Sequence, residues 1–329
     1  MYRLSDAGMD APTLAERMAR VIAALESRLG PFPYPSYGIA EAPDDIKGWY
    51  AASQQTFIVA RASAFGYDHG NTPLWAHEAS HAWWGNLISA EGEAGLMVSE
   101  ALAQLGVLIA LETTEGDDAT ARFLEFSRSG YNSLQSAAGY FHIWRQGGDK
   151  PLSELADDRW DHNLSDSKGM WVYHMLRHRV GDRVFFGVLR DIIQQRRGGA
   201  VSLADLRAFF LRASDDPGLA EFFAQWLDRA GAPVLDLDWW ATRDPDGTRG
   251  VHLEIAQTQG GEPFTIDLEI GIELDTGERI TRTIALADAR HSIDVATGGG
   301  RPVRVELDPR RLVLMWRPAY GPRPEPTAD

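Results

Sequence analysis

His77-Glu78-Ala79-Ser80-His81, with Glu100 following after eighteen further residues, constrains this chain more than any other feature. Two histidines four apart on a helix share one face, about 6 Å from each other along the axis. Both imidazoles can then reach a single zinc ion, and the glutamate beside the first can hold a metal-bound water. Glu100 supplies a third protein ligand from a second helix and leaves the fourth position open, the mark of a catalytic rather than a structural zinc. With 9 histidines in 329 residues, the full set is expected by chance in roughly one chain in a thousand of this composition. The pattern requires two helices held side by side.

Its surroundings narrow the reading. The first string runs Trp75-Ala76-His77-Glu78-Ala79-Ser80-His81-Ala82-Trp83-Trp84-Gly85-Asn86, and the third ligand sits in Val98-Ser99-Glu100-Ala101-Leu102-Ala103. Ser167-Lys168-Gly169-Met170 leads into Val172-Tyr173-His174-Met175-Leu176-Arg177 and then Val180-Gly181-Asp182. These strings resemble the gluzincin metallopeptidases related to aminopeptidase N and leukotriene A4 hydrolase, over about residues 12 to 230 and more loosely to about 315. The resemblance implies an α+β chain: a mostly helical, thermolysin-like zinc peptidase domain over 1–232 and a small antiparallel β-sandwich over 233–318, with 319–329 a flexible tail. It implies one Zn²⁺ per chain on His77, His81 and Glu100. Glu78 is then the group that takes a proton from the attacking water and returns it to the leaving amine.

Local patterns agree with that division. Leu14, Met18, Val21, Ile22, Leu25 and Leu29 have helical spacing, closed by Gly30-Pro31. Short strands are expected near 37–41 and 56–61, and Thr72-Pro73 reads as the cap and first turn of the helix that carries His77. Successive helices follow to about Arg229, broken at Gly116-Asp117, Gly147-Gly148, Gly181-Asp182, Gly198-Gly199 and Asp216-Pro217. Beyond Gly231-Ala232-Pro233 the period changes to two: Ile266, Leu268, Ile270, Ile272 and Leu274 alternate with polar residues, then 280–286, 293–295, 303–307 and 312–314 continue as strands. The apolar run Leu96 to Leu111 is interrupted by Ser99, Glu100 and Gln104, which makes it a core helix rather than a membrane span.

Charge and composition remove other classes. A formal charge of −15 disfavours nucleic acid or anionic membrane as partner. With no cysteine there is neither a disulfide nor a thiolate ligand or nucleophile. Residues 1–10 are polar, without the apolar core of a signal peptide, which points to a cytoplasmic location. Members of the resembling family usually carry a large β-rich domain before this one and often a helical domain after it. Their absence here implies either a compact version or a protein partner that completes the cleft.

Two positions depart from the resembling pattern. Its Y-E-K-G tyrosine, which donates to the oxyanion, aligns with Asp166, and an ionised carboxylate cannot donate. His162 and Tyr140 are the candidate replacements. Its G-A-M-E-N glutamate, which binds the substrate's free amine, aligns with Gln54 in Ala51-Ala52-Ser53-Gln54-Gln55, which removes the charge; Glu41, Glu91 or Glu93 would have to restore it. The leading expectation is a zinc hydrolase acting on a peptide or small amide. Beside it stand a zinc hydrolase retuned to a non-peptide amide, ester or epoxide, and a non-catalytic metal-binding assembly module.

Overall fold

In the computed structural model of the protein, residues 10–47, 50–66, 72–126, 134–156, 158–245 and 247–325 are described. The chain divides into two compact units, Met1–Ile143 with Gly147–Ala230, and Trp144–Gln146 with Gly231–Asp329.

The first unit opens with α1 (Ala11–Leu29), which buries Leu14, Met18, Val21, Leu25 and Leu29. It starts at Ala11 because the Asp10 carboxylate accepts from Thr13 N at 2.9 Å and caps the helix. A three-stranded sheet follows, ordered β1 (Gly38–Ala42), β3 (Phe57–Arg61), β2 (Ala51–Ser53), with β1 parallel and β2 antiparallel to the central strand. Next come α2 (Ala62–Gly66) and α3 (Thr72–Ser80), in which Thr72 is the first helical residue rather than the cap. The short β4 (Ser89–Ala90) precedes α4 (Leu96–Thr114), α5 (Asp117–Glu125) and α6 (Ala137–Arg145). Then α7 (Asp161–Leu164) runs into a π-helical turn at Ser165–Gly169 and on into α8 (Met170–Gln195). Strand β5 (Ala200–Val201), which pairs with β4, and helices α9 (Leu203–Ala213) and α10 (Leu219–Leu227) complete the unit.

Helix α4 is the centre of this unit. It buries Met97, Val98 and the unbroken run Ala101 to Leu111. Among the described residues it is the one helix long and apolar enough to cross a membrane, and 72% of its apolar window is buried inside the protein. Its close approach to α3 depends on Gly106, where a Cβ would lie 1.8 Å from Ser80 Oγ. Tyr173 Oη donates to Met97 O at 2.8 Å and ties α8 to the start of the same helix. The expected break at Gly181 is present as a sharp bend within α8, where φ is 76° and ψ 155°, a conformation open to glycine.

The second unit is a β-sandwich of two antiparallel three-stranded sheets. One is ordered β10 (Arg290–Gly298), β7 (Arg249–Gln257), β6 (Leu235–Arg243), and the other β11 (Pro302–Leu307), β8 (Ile266–Leu274), β9 (Arg279–Leu286). Val251, Leu253 and Ile255 on β7 and Leu268, Ile270 and Ile272 on β8 are fully buried. Two expectations are corrected here. Residues 312–314 are not a strand, because the buried Asp308 carboxylate captures the amides of Leu312 and Val313 at 2.7 and 3.1 Å. The tail expected at 319–329 is anchored as far as it is described: Tyr320 is buried, and Arg145 donates to the carbonyls of Tyr320 and Pro322 at 3.1 and 3.0 Å.

Candidate metal centre

Helix α3 carries His77 and Glu78 at its buried end, and His81 follows directly as the helix closes. Helix α4 presents Glu100 one turn after its start. The Nε2 atoms of His77 and His81 are 3.1 Å apart, and lie 3.4 and 3.6 Å from Glu100 Oε2. A tetrahedral ion bonded at about 2.0–2.2 Å spaces its ligand atoms about 3.3–3.6 Å apart. Both histidine–glutamate spacings fall in that range, and the two histidine nitrogens stand slightly closer than it.

Hydrogen bonds behind the ligands fix their tautomers. His81 Nδ1 meets Trp84 O at 2.9 Å, and a carbonyl can only accept, so that nitrogen carries the proton. His77 Nδ1 meets Gln104 Oε1 at 2.7 Å, from the same helix as Glu100. Both Nε2 lone pairs are thus turned toward each other and toward a carboxylate, an arrangement that needs a cation between them. Burial opposes a charged His77, yet Glu100, Asp166 and Glu78 outweigh it and lift the imidazole to about 10. Burial likewise opposes an ionised Glu100, and His81 and His77 overcome it and hold that carboxyl well below the usual range. The corner demands positive charge, and one dication meets the demand of all three atoms at once.

Glu78 is 3% exposed. Burial raises its proton affinity above that of an ordinary carboxyl, with His77 and His81 opposing, which suits a group that must accept and return a proton. Its backbone is held from the sheet. Tyr37 Oη donates to Glu78 O at 3.0 Å, and since that uses its one proton, Ser53 Oγ donates to Tyr37 at 3.0 Å. Asn86 Nδ2 donates in turn to Ser53 Oγ at 3.2 Å. This Asn86–Ser53–Tyr37 chain joins residues far apart in sequence, Asn86 lying 33 residues from Ser53, so no local pattern points to it.

A cleft of about 320 Å³ opens on these groups, lined among others by Ser53, Glu78, His81, Asn86, Glu100 and His162. Gln54 is not in it: it is exposed in the β2–β3 turn, and Ser53, one residue earlier, faces the cleft instead. Glu41, Glu91 and Glu93 do not line it. Tyr140 is also corrected, since its buried hydroxyl donates to Asp149 at 3.0 Å and the residue lies outside the cleft wall. His162 is brought to the site, with Nε2 3.5 Å from Glu100 Oε2 and its side chain 53% exposed. Asp166 lies beneath it, fully buried, 3.8 Å from His162 Nε2, and burial raises its proton affinity.

A description of the peptidase family M1 domain matches residues 47–226, more than half of the chain. The chain belongs to peptidase family M1. The matched block holds all of His77, Glu78, His81 and Glu100, the ligand set and carboxylate of a zinc metallohydrolase. Aminopeptidase M1-A and Aminopeptidase M1-B of Oryza sativa subsp. japonica are 26% and 27% identical to it over 239 and 238 residues. Those stretches are 70% and 69% of this chain, and 25% of each relative. The chain thus spans about a quarter of the length of the curated relatives it matches. A solved structure of Legionella pneumophila aminopeptidase A in complex with aspartic acid aligns with a TM-score of 0.68 at 17% identity, over 92% of this chain and 34% of that one. That likeness is one of fold: a helical peptidase region followed by antiparallel sheets.

Proposed function

We infer that this M1 chain is a zinc-dependent hydrolase of peptide or amide bonds. The observation that carries the reading is the convergence of two Nε2 lone pairs and the Glu100 carboxylate at close to tetrahedral spacing, with Glu78 beside His77 on α3 and outside that group of three. His77, His81 and Glu100 would hold the ion, which when bound acidifies water and polarises a carbonyl. Gln104 and the Trp84 carbonyl keep the two rings oriented. Glu78 accepts the proton of the attacking water on a carboxylate oxygen and passes it to the leaving nitrogen. The Asn86–Ser53–Tyr37 chain holds the Glu78 backbone while this happens.

Substrate choice follows from β2. Gln54, which aligns with the amine-binding carboxylate of the resembling group, is neutral and exposed outside the cleft, and the last residue of β2 lining the cleft is the neutral Ser53, so β2 offers no charge to grip a protonated α-amine. We therefore expect N-blocked peptide amides, or amides without a free amine, to be turned over at least as well as free-amine anilides. A panel of paired free and N-acylated substrates on zinc-loaded protein tests this. A strong preference for the free amine would contradict it.

A further inference from the structure

Glu100 belongs to a second group of donor atoms as well. Glu100, His162 and Asp166 offer two carboxylate oxygens and one imidazole nitrogen, all within 4.8 Å of one another. His162 Nε2 lies 3.5 Å from Glu100 Oε2 and 3.8 Å from Asp166 Oδ2. Asp166 is the unusual member. It is wholly buried; its Oδ2 accepts from Gln135 Nε2 at 3.0 Å, and its Oδ1 is buried with no hydrogen-bond partner. A desolvated carboxylate oxygen left in this state is costly unless a cation or a donor meets it. An ion on His77, His81 and Glu100 does not draw in His162 or Asp166, which fall outside that group of three.

His162 sits in α7 and Asp166 four residues on, within the Ser165–Gly169 turn, a spacing that brings two side chains to one helix face. His162 is half-exposed on the cleft wall, so an ion could enter from solvent.

We propose that Glu100, His162 and Asp166 form a second divalent-cation site that shares Glu100 with the first. It rests on the zinc reading of the first site. One nitrogen and two oxygens suit Zn²⁺ or Mn²⁺ better than Mg²⁺ or Ca²⁺, which favour oxygen alone. The wider spacings make it the weaker of the two sites.

The test is a calorimetric titration of chelator-stripped protein with Zn²⁺, and separately with Mn²⁺, alongside metal analysis after desalting. Wild type should bind two equivalents, the second more weakly. Asp166→Asn and His162→Ala should each bind one, with the affinity of the first site changed by less than about threefold. His162 is half-exposed, so its replacement answers the question even if Asp166→Asn fails to fold. One equivalent in wild type at saturating metal, lost in His81→Ala, would overturn the second site and leave the first standing. Two equivalents in the His162→Ala variant would also overturn it. No binding to wild type at all would remove both.

Discussion

The α3–α4 wall of the cleft and the residues that β2 and the α7–π stretch bring to it, here the second wall, differ in what their polar groups are arranged to hold. On the first, each imidazole has one nitrogen fixed by an acceptor and the other aimed at Glu100, and even the Glu78 carbonyl has its donor. On the second, a neutral serine faces the cleft, and a buried carboxylate keeps an oxygen without a hydrogen-bond partner. On the proposed reading, holding the metal and gripping the substrate fall to separate elements.

The largest effect that can break this comparison lies on the first wall. Glu78→Gln should lower turnover by about 10²–10⁴-fold, the usual worth of a placed general base, while zinc content is unchanged. Steady-state rates beside metal analysis decide it; undiminished turnover would show that the reaction does not use this carboxylate. Next comes the packing that sets the wall. Gly106→Ala drives a methyl into Ser80, and overpacking of that kind costs about 1–3 kcal/mol. The first unit should melt roughly 3–10 °C lower, by calorimetry. An unchanged melting temperature would mean that α3 and α4 do not approach as closely as described. The smallest effect sharpens the second wall: Ser53→Glu should raise the preference for free-amine over N-blocked substrates by about tenfold, through one new charge-assisted contact. No change in that ratio would show that Ser53 does not face the substrate amine.

How much of this was legible in the sequence depended on how local the determinant is. The spacing of His77, Glu78 and His81 is a property of one helix, and Glu100 follows from the second, so the ligand set could be read directly. The second wall could not be read in the same way. Strand β2 is three residues, Ala51–Ser53, too short to show which of its side chains face the cleft, and a slip of one residue exchanges the faces. The sequence pattern points to Gln54, while Ser53 is the last β2 residue that lines the cleft. Tyr140 was a reasonable donor by residue type, but its partner Asp149 is set by tertiary packing. Strands β6 and β7 alternate as well, at Leu235, Leu237 and Trp239 and at Val251, Leu253 and Ile255, a local signal of the same kind as that of β8. Residues 312–314 are apolar throughout, but the buried Asp308, four and five residues before Leu312 and Val313, claims the amides of those two.

The central claim is that His77, His81 and Glu100 hold zinc while Glu78 stands free of it, and elemental analysis of purified wild type, Glu78→Gln and His81→Ala after exhaustive dialysis tests it most directly. Wild type and Glu78→Gln should retain the same zinc, at least one ion per chain, and His81→Ala should lose the tightly held ion. Full zinc in His81→Ala, or its loss from Glu78→Gln, would contradict the account.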